Sequence, residues 1–300
     1  MREELFKNCT LCPRKCNVNR LEGKRGYCGM DSTIRAARAA LHMWEEPCIS
    51  GKKGSGAVFF SGCGLRCGFC QNRDIAIGDS GKEISVERLA EIFLELQEKG
   101  AANLNLVTGA HYVPHIISAL ELARGKEMNL PVVYNSSGYE SVETIRRLDG
   151  YVDVYLPDMK YMEPELAAAF SNARDYPQAA QSAIAEMMRQ TGPCQFAENG
   201  YIKRGTIVRH LILPGHTKNS IAVLKYLYRT YGEDIFISVM NQYTPVWKNE
   251  KFPELNRKVT RREYEKVLDA AIELGIENGY FQEGETAEES FIPAFDYEGV

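Results

Sequence analysis

Residues 56–72 read GAVFFSGCGLRCGFCQN, and every larger conclusion about the chain begins there. Ala57 to Phe60 is a short apolar run bounded by Gly56 and by Ser61-Gly62, the pattern of a buried strand feeding a loop. The loop presents Cys63, Cys67 and Cys70 with C-x3-C-x2-C spacing. An odd set of thiols this dense cannot pair off, so it points to a metal rather than to a disulfide framework. A structural zinc wants four ligands, and no His or further Cys lies within twenty residues after Cys70. A four-iron cluster held by three cysteines leaves one iron open to something that is not protein.

A second constellation precedes it: Cys9, Cys12, Cys16 and Cys28 in CTLCPRKCNVNRLEGKRGYCG. Four cysteines in a segment too short to have its own core would close a metal site, and tetrahedral sulfur ligation suits zinc or an iron–sulfur cluster equally. Residues 1–50 are therefore read as a cysteine-rich metal-binding segment and 51–300 as the main domain. Within the former, the Ala-rich run IRAARAALHMWEE fits a helix or a pairing strand, and Cys48 after Pro47 reads as a packed thiol.

Composition bounds the rest. A hydrophobic content of 44% over 300 residues is ample for a core. A net charge of −4 and a pI near 5.9 give no electrostatic grip on nucleic acid or on an anionic membrane. The opening MREELFKNCTLC has no secretory apolar run, and no stretch approaches eighteen apolar residues. The expectation is a cytoplasmic protein whose nine cysteines do metal and redox work.

After the cysteine loop the pattern alternates. In VERLAEIFLELQEKG, Leu89, Ile92, Phe93 and Leu96 share one helical face and Gly100 ends it. Strands are expected at 103–108, 131–138, 152–160, 206–215 and 234–242, with helices between them and a helical insertion at about 163–200 broken at Pro177. With Ala57–Phe60 this makes six strands joined by helices, hence an α/β fold: a partial (β/α)6 TIM-like barrel with its chemistry at the carboxyl ends of the strands. Those ends carry Thr108-Gly109, Asn135-Ser136, Asp158-Met159-Lys160, Arg209 and Asn241. Arg209 stands in an otherwise apolar strand, and a buried Arg needs an anionic partner, which a ligand carboxylate or a sulfide cluster would supply. Of the histidines, His111, His210 and His216 lie nearest strand ends, whereas His42 and His115 read as filler or as local hydrogen-bonding groups.

The C-x3-C-x2-C motif with Phe69 before its last Cys resembles the signature of the radical S-adenosylmethionine (SAM) superfamily. The segments VYNSSGYE, VRHLILPGH and MNQYTP, with the terminal GYFQEGETAEESFIPAFDYEGV and the N-terminal cysteine set, narrow the resemblance to a family similar to the pyruvate formate-lyase activating enzyme. The resemblance implies a 4Fe-4S cluster on Cys63, Cys67 and Cys70, with SAM on the open iron. It implies reductive cleavage to a 5'-deoxyadenosyl radical, and hydrogen abstraction from a glycyl residue of a partner enzyme, another peptide or a small molecule. A flavodoxin- or ferredoxin-like electron donor follows from it. Carried over residue by residue, Arg209 contacts the SAM carboxylate, and Asp158 and Lys160 lie by its methionyl and ribose end. Thr108 and Gly109 meet the amine, Phe69 the adenine, and Asn135 and Ser136 a nearby cation; Asn241 completes the rim. Two departures stand out: TGAH replaces the superfamily's Gly-Gly-Glu-Pro, and Asn135 stands where the activating enzyme has an Asp. A metal-binding or electron-transfer module without SAM chemistry is the non-enzymatic alternative.

Overall fold

The computed structural model describes residues 4–78, 80–282 and 293–300; part of the terminal segment named above, 283–292, lies outside them. Among the described residues ten strands form one sheet: β1 (Ile34–His42), β2 (Ser55–Phe60), β3 (Lys82–Ile84), β4 (Leu104–Val107), β5 (Val132–Ser136), β6 (Val154–Pro157), β7 (Gln195–Phe196), β8 (Ile202–Leu211), β9 (Phe236–Met240) and β10 (Gly279–Phe281). Their spatial order is β10-β9-β8-β6-β5-β4-β2-β1-β3, with β7 off this path as an antiparallel partner of β8. The pairs from β2 through β4, β5, β6, β8 and β9 to β10 are all parallel. The six expected strands thus form a partial barrel, and Gly279–Phe281 adds a seventh parallel member. Among the described residues no helix is long and apolar enough to cross a membrane.

The Ala-rich run left open between helix and strand is β1. It pairs antiparallel with β2, with an irregularity between Ala36 and Arg38, and lies within the first fifty residues. Alanine is the strongest intrinsic helix former, but an unpaired edge on β2 outweighs that weak preference. Helix Val86–Glu98 follows expectation: the Ser85 hydroxyl caps it at the Arg88 N–H, and Leu89, Ile92, Phe93 and Leu96 are buried. Residues 164–191 form the crossover from β6 to β8 as two helices, Pro164–Ser171 and Tyr176–Thr191. The break falls at Asn172 (φ 52°) and not at Pro177, which occupies the first turn of the second helix. There proline's missing N–H costs nothing, whereas Asn tolerates the left-handed conformation that ends a helix.

Side chains alternate along the strands, so Asn105 and Val107, Val133 and Asn135, Val154 and Leu156, and Ile207 and Arg209 share the inner face. The lower inner positions pack as one cluster, Val133, Val154, Leu156, Ile202 and Ile207, around Cys48 and Ile49 of the short helix Pro47–Ser50. That helix is pinned at the amino end of β4, where the Asn103 side-chain amide donates to the Ile49 carbonyl at 2.8 Å. The barrel is closed below by Cys48 and Ile49 and polar above.

Candidate active site

The loop after β2 is held in place by its neighbours. Gly62 adopts φ 91°, and a Cβ there would come within 2.5 Å of Met30 Cγ and 2.9 Å of the Cys28 carbonyl oxygen, so the loop and the N-terminal segment approach as only glycine permits. The Gly68 N–H donates to the Phe170 carbonyl at 2.8 Å, and Arg14 Nε donates to the Gly64 carbonyl at 2.8 Å. The sulfurs receive donors as well: the Leu65 N–H to Cys63 Sγ at 3.4 Å and Ser171 Oγ to Cys67 Sγ at 2.9 Å. Burial pushes the Cys67 thiol up to about 11, against the opposing pull of Lys160, and the Cys70 thiol up to about 12, with Cys67 and Cys63 adding to the effect. Such thiols stay protonated until a metal takes the proton's place. Among the described residues, no three His, Cys, Asp or Glu side chains stand as a group that could hold a metal ion, in this loop or in the N-terminal segment.

Cys63, Cys67 and Cys70 line one cavity of about 260 Å³ together with Phe69, Thr108, Asn135, Ser136, Asp158, Lys160 and Arg209. Seven of the nine expected cofactor contacts therefore meet in one place. The other two do not line it: Gly109 sits where a Cβ would strike Ile116 Cδ1 at 2.6 Å, and the Asn241 N–H donates to Gln282 Oε1 at 2.9 Å. Both positions serve packing of the rim. The left-handed residue of the TGAH turn is Thr108 itself (φ 59°), a strained conformation for a β-branched side chain, whereas Gly109 is an ordinary −89°. Phe69 is braced edge-on by Phe170 and Tyr243.

The expectation that Arg209 awaits an external anion needs correction. Its Nη1 donates to Glu45 Oε2 at 3.0 Å, its Nε to Asp158 Oδ1 at 3.3 Å and its Nη2 to Asn135 Oδ1 at 2.5 Å. Glu45 Oε1 also accepts from Asn105 Nδ2 at 3.0 Å and Asn135 Nδ2 at 3.2 Å. Lys160 Nζ completes the network at 2.6 Å from Asp158 Oδ2. Burial alone would raise Asp158, but Lys160 and Arg209 outweigh it and hold the carboxyl below its usual range. Burial would likewise lower Arg209, yet Asp158, Glu45 and Glu46 carry it above its ordinary value. Beside them Glu46 is raised, chiefly by burial. The charge lost at Asn135 is thus returned by Glu45, a residue the sequence reading did not single out. The signal was present in WEEP, two acids between a strand end and a proline, but it means something only once β1 is a strand.

The histidines trade places. His42 lines the cavity, where burial and then Arg209 and Arg38 push it down to about 4. His111, His210 and His216 do not line it: His111 Nε2 meets the Ser61 carbonyl at 2.7 Å, His210 Nδ1 the Met159 carbonyl at 2.7 Å, and the His216 ring packs edge-on against Phe170. His115 meets the Ser32 carbonyl at 2.8 Å.

Comparison with known proteins places this arrangement. Residues 57–227 match the radical SAM superfamily. An uncharacterized protein of Methanocaldococcus jannaschii, MJ0674, is 30% identical over 276 residues, which cover 90% of this chain and 75% of that protein. The pyruvate formate-lyase-activating enzyme of Clostridium pasteurianum is 26% identical over 113 residues, 36% of this chain and 46% of that enzyme. Two crystal structures of HydG, a maturase of the [FeFe]-hydrogenase, share the fold: one superposes with a TM-score of 0.51 at 16% identity, covering 77% of this chain and 52% of that one. The other, from Carboxydothermus hydrogenoformans, gives 0.50 at 14% identity, covering 79% and 56%. The chain thus spans about half the length of these solved structures. From the match over residues 57–227, more than half its length, the chain belongs to the radical SAM superfamily.

Proposed function

We propose that the protein is a radical SAM enzyme whose cavity above the barrel holds a 4Fe-4S cluster on Cys63, Cys67 and Cys70 and SAM against the strand ends. The family implies both cofactors, and the donor set suits them. Soft thiolates suit iron and sulfide, two of the three sulfurs already accept hydrogen bonds, and cations and carboxylates alternate on the facing wall. The observation that carries the proposal is the meeting of the three cysteines, Phe69 beside them and six polar strand-end residues around one cavity.

When bound, cluster and SAM supply reductive cleavage to a 5'-deoxyadenosyl radical that abstracts hydrogen from the substrate. The chain's part is binding and shielding. Arg209 and Lys160 offer cations for a carboxylate, and Asp158 and Glu45 offer anions for an ammonium, so a zwitterionic methionyl group exchanges one set of ion pairs for another. Phe59, Phe60, Leu65 and Leu211 form apolar walls of the cavity and exclude water. A reduced flavodoxin- or ferredoxin-like protein supplies the electron, and the reducing cytoplasm keeps the thiols available. Nothing in this reading depends on the N-terminal cysteines.

For the substrate we infer a glycyl residue of a partner enzyme, on the likeness to the Clostridium pasteurianum activating enzyme; another peptide or a small molecule is what remains if that target fails. The test is anaerobic reconstitution with iron and sulfide, reduction with SAM present, and measurement of 5'-deoxyadenosine. Its formation is expected. None from protein with a filled cluster would overturn the proposal. A glycyl-radical signal in a co-produced partner tests the substrate separately.

A further inference from the structure

Cys9, Cys12, Cys16 and Cys28 take no part in the chemistry above, and they gather in one short segment without yet closing on a common point. A Cβ on Gly26 would lie 3.4 Å from Cys16 Sγ and 3.8 Å from Cys28 Sγ, so two sulfurs flank one backbone atom. Cys12 is within electrostatic reach of Cys9 and Cys28, and Cys28 of Cys9 and Cys16.

The sulfurs also collect N–H donors. The Tyr27 amide donates to Cys16 Sγ at 3.2 Å. The loop after β2 shows the same kind of contact, with the Leu65 amide on Cys63 Sγ at 3.4 Å. An amide aimed at sulfur stabilises a thiolate far more than a thiol.

A second observation is independent of the cysteines. Arg20 is completely buried. Its Nε donates to the Asp31 carbonyl at 3.1 Å, its Nη2 to the same oxygen, and its Nη1 to the His111 carbonyl at 2.6 Å. Its guanidinium also lies over the rings of Phe6 and Tyr112. Among the described residues no carboxylate pairs with it. A buried guanidinium satisfied only by carbonyls keeps an uncompensated charge, which is costly. Its remaining contact is Cys9 Sγ at 3.9 Å. Four thiolates around a dipositive centre carry net negative charge, and such a group would neutralise Arg20.

We propose that Cys9, Cys12, Cys16 and Cys28 hold a second metal centre through four thiolates, of zinc or of iron and sulfide. Metal draws in sulfurs that do not by themselves form a metal-holding group, so binding and ordering of this segment are coupled. The centre stands against the loop after β2, since Cys12 Sγ lies 3.6 Å from the position of a Gly64 Cβ. The inference goes beyond the SAM chemistry and is tested without it.

The decisive protein is a full-length triple variant, Cys63→Ala, Cys67→Ala and Cys70→Ala, purified anaerobically and measured for zinc, iron and sulfide. About one zinc, or about four iron with four sulfide, per chain is expected, lost when Cys12→Ala and Cys16→Ala are added. A metal-free triple variant with the parent's circular dichroism, or metal that survives the added substitutions, overturns the proposal. Should the triple variant fail to fold, alkylation of the unaltered chain decides, mapped by mass. The four N-terminal thiols are expected to react about tenfold faster after chelation than in metal-loaded protein. Equal rates, or disulfides among the four, overturn it.

Discussion

Replacing Glu45 by Gln tests whether the charged network inside the barrel is built as described. Every described partner of that carboxylate is a donor: Arg209 Nη1 on one oxygen, the Asn105 and Asn135 amides on the other. A glutamine must therefore turn its own NH2 toward a donor whichever way its amide is set. The Glu45 side chain is 8% exposed and that of Arg209 15%, so only the little water that reaches them through the cavity they line can soften the mismatch. Breaking a buried pair costs about 3–5 kcal/mol, and Asp158 still compensates part of the Arg209 charge, which places Glu45→Gln near the lower end, about 3 kcal/mol. The assay is urea unfolding of the metal-free protein under anaerobic conditions, with the exposed Glu98→Gln as a control expected to stay within about 0.5 kcal/mol. A lower midpoint with an unchanged slope is expected. If Glu45→Gln matches the control, the network contributes nothing to folding and the account of Arg209 given above is wrong.

Two further outcomes follow from buried groups elsewhere. Glu140 is 3% exposed and burial pushes it up to about 8, so between its ordinary 4.5 and about 8 the folded protein holds a proton that the unfolded chain has released. Its contribution is present below 4.5 and is lost as pH rises through 8, so Glu140→Gln, which cannot ionise, should gain on the parent by up to about 1.4 kcal/mol per pH unit across that window. Stability curves that stay parallel from pH 5 to 8 would contradict the assignment. Gly138 adopts φ 75° with the Asp158 carbonyl oxygen where a Cβ would go, so Gly138→Ala should lose at least about 1–3 kcal/mol from the backbone alone. It should also disturb the Asp158 to Lys160 contact, and unchanged thermal unfolding would refute the close approach.

The fold was legible because its signals are long and repeated. Five helices between apolar runs leave few alternatives to a parallel sheet, and Leu89, Ile92, Phe93 and Leu96 announce their face by spacing alone. β1 was not legible, because Ala36, Ala37, Ala39 and Ala40 favour helix and only the open edge of β2 reverses that preference. β10 was missed because three residues carry no periodicity. Within the cavity, residues attached to motifs were found, whereas Glu45 and His42 were passed over because their importance depends on where β1 runs. Thr108 shows another limit: the sequence offers a glycine next door, and nothing local reveals that the threonine takes the unusual dihedral.

Cys48 and Ile49 stopper the amino ends of the strands, and that small plug has a consequence for access. A vessel sealed at its base takes nothing in from that end, so whatever enters comes over the carboxyl rim or through the gap between the unpaired edge strands β10 and β3.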